Sequence, residues 1–153
     1  MRTPLIALAM LFSLAGPATA AEQVPFKGTL DATVTITPIN PPVVSVVIEG
    51  SGNGTHLGLY SIEFAAVVNQ ATRTQVGLAT IVITAANGDT ITAEGSGGQA
   101  TPVAPGVLST VDPATITGGT GRFAGATGSI VIRRTFFVAA GVTTGSFEGT
   151  ISR

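Results

Sequence analysis

Few side chains in this 153-residue chain could do chemistry. There is no cysteine, one lysine (Lys27), one histidine (His56) and one tyrosine (Tyr60). Thiol chemistry and cysteine-based metal sites are thereby excluded, and most amine chemistry goes with the lysines. A Ser-His-Asp constellation would have His56 as its only base, and no Gly-x-Ser-x-Gly elbow accompanies it. One histidine and scattered acids offer no metal-ligand spacing, so neither a metal nor an organic cofactor is expected.

The residues worth weighing are those a strand pattern would turn inward. His56, Tyr60, Ile62 and Phe64 share one alternate set, which leaves Glu63 on the other. Further on, Ile130, Ile132, Arg134, Phe136 and Val138 share a face. His56, Tyr60 and Arg134 are therefore the candidate polar groups of an interior, and Glu63 joins them only if a bulge turns it inward. A guanidinium between Ile132 and Phe136 must be paired or reach water, because an isolated buried charge is very costly. Buried, Arg134 would orient an anionic or carbonyl-bearing ligand. The plainer reading, preferred here, puts it at a barrel mouth or outside by a one-residue shift. His56 reads as a hydrogen-bonded structural residue near a rim, and Tyr60 as a core ring with its hydroxyl on a partner. Asp31, Glu49, Glu63, Glu94 and Glu148 alternate onto polar faces, which argues against general acid–base catalysis.

The elements that must hold these groups are strands. Threonine, valine and isoleucine abound, and glycine and proline punctuate at short intervals. In "FKGTLDATVTIT" Phe26, Gly28, Leu30, Ala32, Val34 and Ile36 fall on one face and polar residues on the other, the period of a half-buried strand. "PINPP" breaks it at Pro38. Further strands are predicted over Val43–Gly50, His56–Asn69, Thr74–Ala86, Thr90–Gly97, about Gly106–Thr117 with an interruption at Asp112-Pro113, Gly128–Val138 and Thr144–Ser152. "NGD" at Asn87–Asp89 marks a hairpin. Eight strands with short connections predict an all-β fold, a closed eight-stranded antiparallel barrel; a two-sheet β-sandwich is the alternative.

"ITGGTGRFAGATGSIVI" (116–132) is the densest glycine stretch. Gly119-Thr120-Gly121-Arg122-Phe123-Ala124 matches a dinucleotide fingerprint on paper, but that site needs a full helix after the loop. A β-branched run follows instead, and no lysine completes a Walker pattern. Gly119, Gly121, Gly125 and Gly128 read as turn residues, with Phe123 folded back as an apolar plug at a barrel end. "GTGRFAGATGS" before a strand, a final "GSFEGTIS", and "GSGNGTHLG" with Gly52, Thr55, His56 and Gly58 resemble the allene oxide cyclase and dirigent barrel superfamily, in its exported bacterial form. The resemblance implies an eight-stranded barrel, often oligomeric, whose plant members cyclise an oxylipin or steer phenol coupling without cofactors. No catalytic position matches residue by residue.

Composition bounds the setting. Arg2 followed by the apolar run Leu5–Leu14 and Ala18-Thr19-Ala20 reads as a signal peptide over residues 1–20, too short to span a bilayer. Residues 21–153 then form one domain, secreted or periplasmic. Seven Lys+Arg face eight Asp+Glu in the whole chain. With no basic run, nucleic acid is not an expected partner, and membrane insertion is not expected either. With the inner faces assigned, Val43, Val47, Leu57, Leu59, Ala65 and Val67 remain outside on consecutive strands. One apolar patch of that size predicts a homo-oligomer, a dimer or trimer. The leading function is non-catalytic binding of a small apolar ligand, or a structural module. A cofactor-free isomerase or cyclase acting on a lipid or phenolic substrate is the second, and a protein-interaction module with a filled barrel the third. The interior decides among them: a cavity enclosing Arg134 beside a carboxylate would favour the enzyme.

Overall fold

The computed structural model describes residues 21–152; the signal-peptide expectation lies outside the described residues. Nine strands follow one another: β1 Val24–Asn40, β2 Val43–Gly54, β3 Gly58–Asn69, β4 Thr74–Ala85, β5 Thr90–Ser96, β6 Gln99–Ala104, β7 Val107–Gly119, β8 Thr127–Phe137 and β9 Val142–Ser152. A 3-10 turn at Gly121–Phe123 is the only helical element among the described residues. Eight strands pair antiparallel in the order β3-β2-β1-β9-β8-β7-β5-β4, and β3 pairs with β4 to close the ring. The closed eight-stranded barrel is thus the fold, and the sandwich alternative falls away. Closure leaves no long unpaired edge.

β6 is a ninth strand outside the ring. It continues along β7 where β5 stops, pairing Gln99 with Val111 and, once, with Thr74 of β4. The break between β5 and β6 explains how β7 runs straight through Asp112-Pro113. Neither residue has a partner on that side, because β5 reaches only Ala114 and β6 only Val111. A proline lacking its N–H is tolerated where the ladder is interrupted. The same logic carries β1 through Pro38. β9 pairs with β1 only as far as Thr33, whereas β2 pairs with it to Asn40. Pro38 therefore sits on an open edge, and the strand turns only at Pro41-Pro42.

The two ends of the barrel differ. At the end carrying the β2–β3 turn and the glycine segment, the interior is filled. Phe26, Leu57, Phe123, Phe147 and Ile151 are buried there. The Phe26 and Phe147 rings lie 4.9 Å apart and tilted by 49°. Phe123 is fully buried, the plug expected from the sequence, and the segment around it is a turn with no helix to receive a phosphate. Gly121 is required there twice over. Its φ is +56°, a left-handed value that costs other residues about 1–2 kcal/mol. A side chain at 121 would also collide with the Asp89 carboxylate, which accepts from Arg122 N (3.2 Å) and Asn87 Nδ2 (2.8 Å).

Candidate functional site

The opposite end, carrying the β1–β2, β3–β4 and β8–β9 turns, is hollow. Most side chains that alternate inward toward it are short, Val34 on β1, Val44 and Val46 on β2, Ala66 and Val68 on β3 and Thr110 on β7, with Phe64 and Phe136 as the large exceptions. They leave a cavity of about 260 Å³ open at the mouth, well above the space a single water needs. Its wall is almost wholly apolar. Its rim carries Gln70 and the exposed Arg73 of the β3–β4 turn, together with Ile36 and Val138.

The polar groups sit on the floor, on two neighbouring strands. β7 turns Thr110 and Asp112 inward, and β8 turns Arg134 inward opposite Thr110. Arg134 Nε donates to Asp112 Oδ2 at 2.8 Å, with side-chain exposures of 10% and 4%. The guanidinium carbon lies 5.2 Å from the centre of the Phe64 ring, within cation–π range. An ion pair this deep must be well formed, because both charges have lost water. Burial pushes the Asp112 carboxyl above its usual range, and the charge and hydrogen bond of Arg134 pull it back only in part. Behind the pair lies the backbone of Gly98, at the β5–β6 break. A side chain at 98 would collide with Asp112 Oδ1, so a residue other than glycine would dislodge the carboxylate. Gln75 of β4 holds the same break in place: its Nε2 donates to the carbonyls of Gly77 and Gly95 at 2.7 and 2.8 Å.

The sequence-derived candidates separate. Arg134 is inside, paired and at the cavity floor, not outside by a shift of register. Tyr60 is inside but at the filled end, its ring edge-on to Phe147 at 5.9 Å. Its hydroxyl donates to the Thr29 carbonyl. Burial, with a smaller push from the charge of Asp31, raises its pKa to about 12. His56 is not on a strand. It occupies the β2–β3 turn with φ +63°, at the far end from the cavity. Glu63 is exposed on the outer face, directly across from Glu49. The one bulge near it lies on β4 at Gly77, and it leaves Glu63 in phase.

Asp112 and Thr110 were missed. The signal was present: Leu108, Thr110, Asp112, Ala114 and Ile116 alternate without a break. Reading Asp112-Pro113 as an interruption hid it. The outer apolar patch is also redrawn. Leu57 is buried in the core and Leu59, 70% exposed, stands apart beyond Ser61 and Glu63. Val43, Val47, Ala65 and Val67 are half-buried on the outer face, and Val76 and Leu78 of β4 join them.

A second depression, wider and open, lies at the other end among Lys27, Thr29, Asn53, Ser146 and Glu148. Its edges are exposed and polar, and no buried charge faces it. The deeper apolar cavity with a buried ion pair on its floor is the stronger candidate. No cluster of three metal-ligating side chains occurs among the described residues. No protein-family model and no curated protein matches the chain.

Proposed function

We propose that the protein is an exported carrier or sensor that binds a small apolar molecule in the hollow end of its barrel, with Arg134 orienting the ligand's polar head. The observation that carries this reading is the cavity itself, about 260 Å³ of apolar wall over a floor whose polar groups are Thr110, Asp112 and Arg134. Pockets that bind small molecules combine apolar walls with a few convergent polar groups, and a filled barrel would offer neither. Export is supported by the Arg2 and Leu5–Leu14 pattern.

Filling the cavity tests the proposal. Ala66 is buried on its wall, and Ala66→Phe would occupy the space a ligand needs. A small neutral fluorophore, indole, whose emission no tryptophan of this chain obscures, should bind the mature protein saturably, and Ala66→Phe should abolish that binding while the protein stays folded. Equal binding by both proteins refutes the reading.

One observation favours a second reading. The cavity encloses Arg134 beside a carboxylate whose proton affinity burial has raised, the condition set above for a cofactor-free isomerase or cyclase. The resemblance to the allene oxide cyclase and dirigent barrels points the same way. Arg134 would stabilise a developing oxyanion and Asp112 would move the proton. Recovery of a copurified ligand chemically unchanged after prolonged incubation with fresh protein supports the carrier. Its conversion, lost in Asp112→Asn, supports the enzyme.

The outer patch on β2, β3 and β4 supports self-association, since a second copy would cover it symmetrically.

A further inference from the structure

The charge balance at the cavity floor bears on which polar head the site accepts. Arg134 reaches Asp112 through Nε alone, and no described residue accepts a hydrogen bond from its two terminal Nη groups. Those donors border the cavity. The Thr110 hydroxyl, on the partner position across the β7–β8 ladder, likewise has no partner among the described residues. The floor therefore presents hydrogen-bond donors to an incoming molecule. Its net charge, however, is already cancelled. Asp112 is held against Arg134 by their hydrogen-bonded ion pair, with its other carboxylate oxygen lying against Gly98.

We propose that the cavity selects a neutral carbonyl compound with a hydrocarbon body, such as a ketone, aldehyde, ester or lactone, over the carboxylate of the same chain length. This rests on the ligand-binding reading above and narrows it. A carbonyl oxygen accepts from Arg134 Nη and Thr110 and leaves the ion pair intact. A carboxylate would put a second anion beside Asp112 on a single guanidinium, and like charges sharing one site oppose each other strongly in a low-dielectric interior. Burying that extra charge has no compensating cation at the floor. Arg73 is the remaining cation of the cavity, and it stands exposed at the rim, where water and salt screen it. Size follows from volume. A methylene fills about as much liquid as a water molecule, roughly 30 Å³, so the cavity holds a body of about nine heavy atoms.

The test is displacement of indole, a neutral fluorophore of about nine heavy atoms in a chain that has no tryptophan, from the full mature protein by nonan-2-one and by nonanoate at neutral pH. Nonan-2-one should displace the probe at a concentration at least about 10-fold lower, the ratio expected from roughly 1.4 kcal/mol. In Asp112→Asn, where Arg134 loses its counter-charge but keeps a hydrogen-bonding neighbour, the preference should be largely erased: nonanoate improves at least about 10-fold while the ketone changes little. Thr110→Val should weaken the ketone several-fold and leave nonanoate unmoved. Nonanoate matching or beating the ketone in the parent protein overturns the proposal even if Asp112→Asn does not fold, and so does an unchanged ratio in a folded Asp112→Asn. Failure of the probe itself to bind in the cavity is a different result, and it removes the ligand-binding reading on which this one stands.

Discussion

Truncating Asp112 to alanine should destabilise the protein by about 3 kcal/mol. The figure comes from the floor of the cavity. Nε and Oδ2 are 2.8 Å apart and both side chains are largely removed from water, placing the charge centres about 4 Å apart. At an effective dielectric of about 20 that attraction is about 4 kcal/mol. Removing one member of a buried pair costs about 3–5 kcal/mol, chiefly because the other charge stays buried and unpaired. Arg134 borders the cavity, so water can reach it after the truncation, and the lower end of that range applies. Unfolding entropy for residues 21–152 is about 0.28 kcal/mol/K from the per-residue average, so the midpoint should fall by about 10 °C. Far-ultraviolet circular dichroism with heat and urea gives both quantities. The decisive control is Asp112→Leu/Arg134→Met, which removes both charges and keeps the volume; it should return to within about 1 kcal/mol of the parent. The sign of the pH effect follows from the same burial. Asp112 binds its proton more tightly folded than unfolded, so this group's contribution to stability falls as pH rises from the unfolded to the folded pKa, and Asp112→Asn should lack that component. An Asp112→Ala protein within about 0.5 kcal/mol of the parent, or a double variant as unstable as its two singles combined, would refute the reasoning.

Three further outcomes are expected. Gly121→Ala should cost more than Gly125→Ala by calorimetry: both positions have left-handed φ, but only at 121 does a side chain meet Asp89. Asp89→Ala should narrow the difference, and equal costs would contradict the close approach. Tyr60 is the sole tyrosine, so its absorbance titration is unambiguous. The midpoint should lie near 12, and because the folded state holds the proton more tightly, stability should fall between about pH 10 and 12; a midpoint at 10 would show the ring is not buried. Leu78→Lys, on the outer patch, should shift the sedimenting species toward monomer, whereas Leu59→Lys should not, and a parent that is monomeric at high concentration removes the self-association proposal.

The barrel was legible because its determinants are local. Period-two alternation in Phe26–Ile36 and Ile130–Val138, the Asn87–Asp89 hairpin and the glycines at 119–128 each act within a few residues, and the antiparallel ladders follow them. Alternation alone put Arg134 in the inward set but left a barrel-mouth or outside position as the plainer reading, and only the β7–β8 register and the pairing with Asp112 fix it at the floor. Strand ends were less legible: Pro38 and Pro113 look like breakers in sequence, yet each sits where a neighbouring strand has already ended. That depends on how far β9, β5 and β6 extend, which no local pattern encodes. The short β6, six residues interrupted by Pro102, was invisible until β7 offered it an edge. Leu57 and His56 turned on one backbone reversal at φ +63° that sent the leucine into the core and the histidine out of the strand. The site itself was decided by tertiary structure. Asp112 and Arg134 are 22 residues apart in the chain and meet only through the β7–β8 register. Whether the barrel end is hollow depends on the summed volume of side chains from seven strands, a quantity no single stretch of sequence contains.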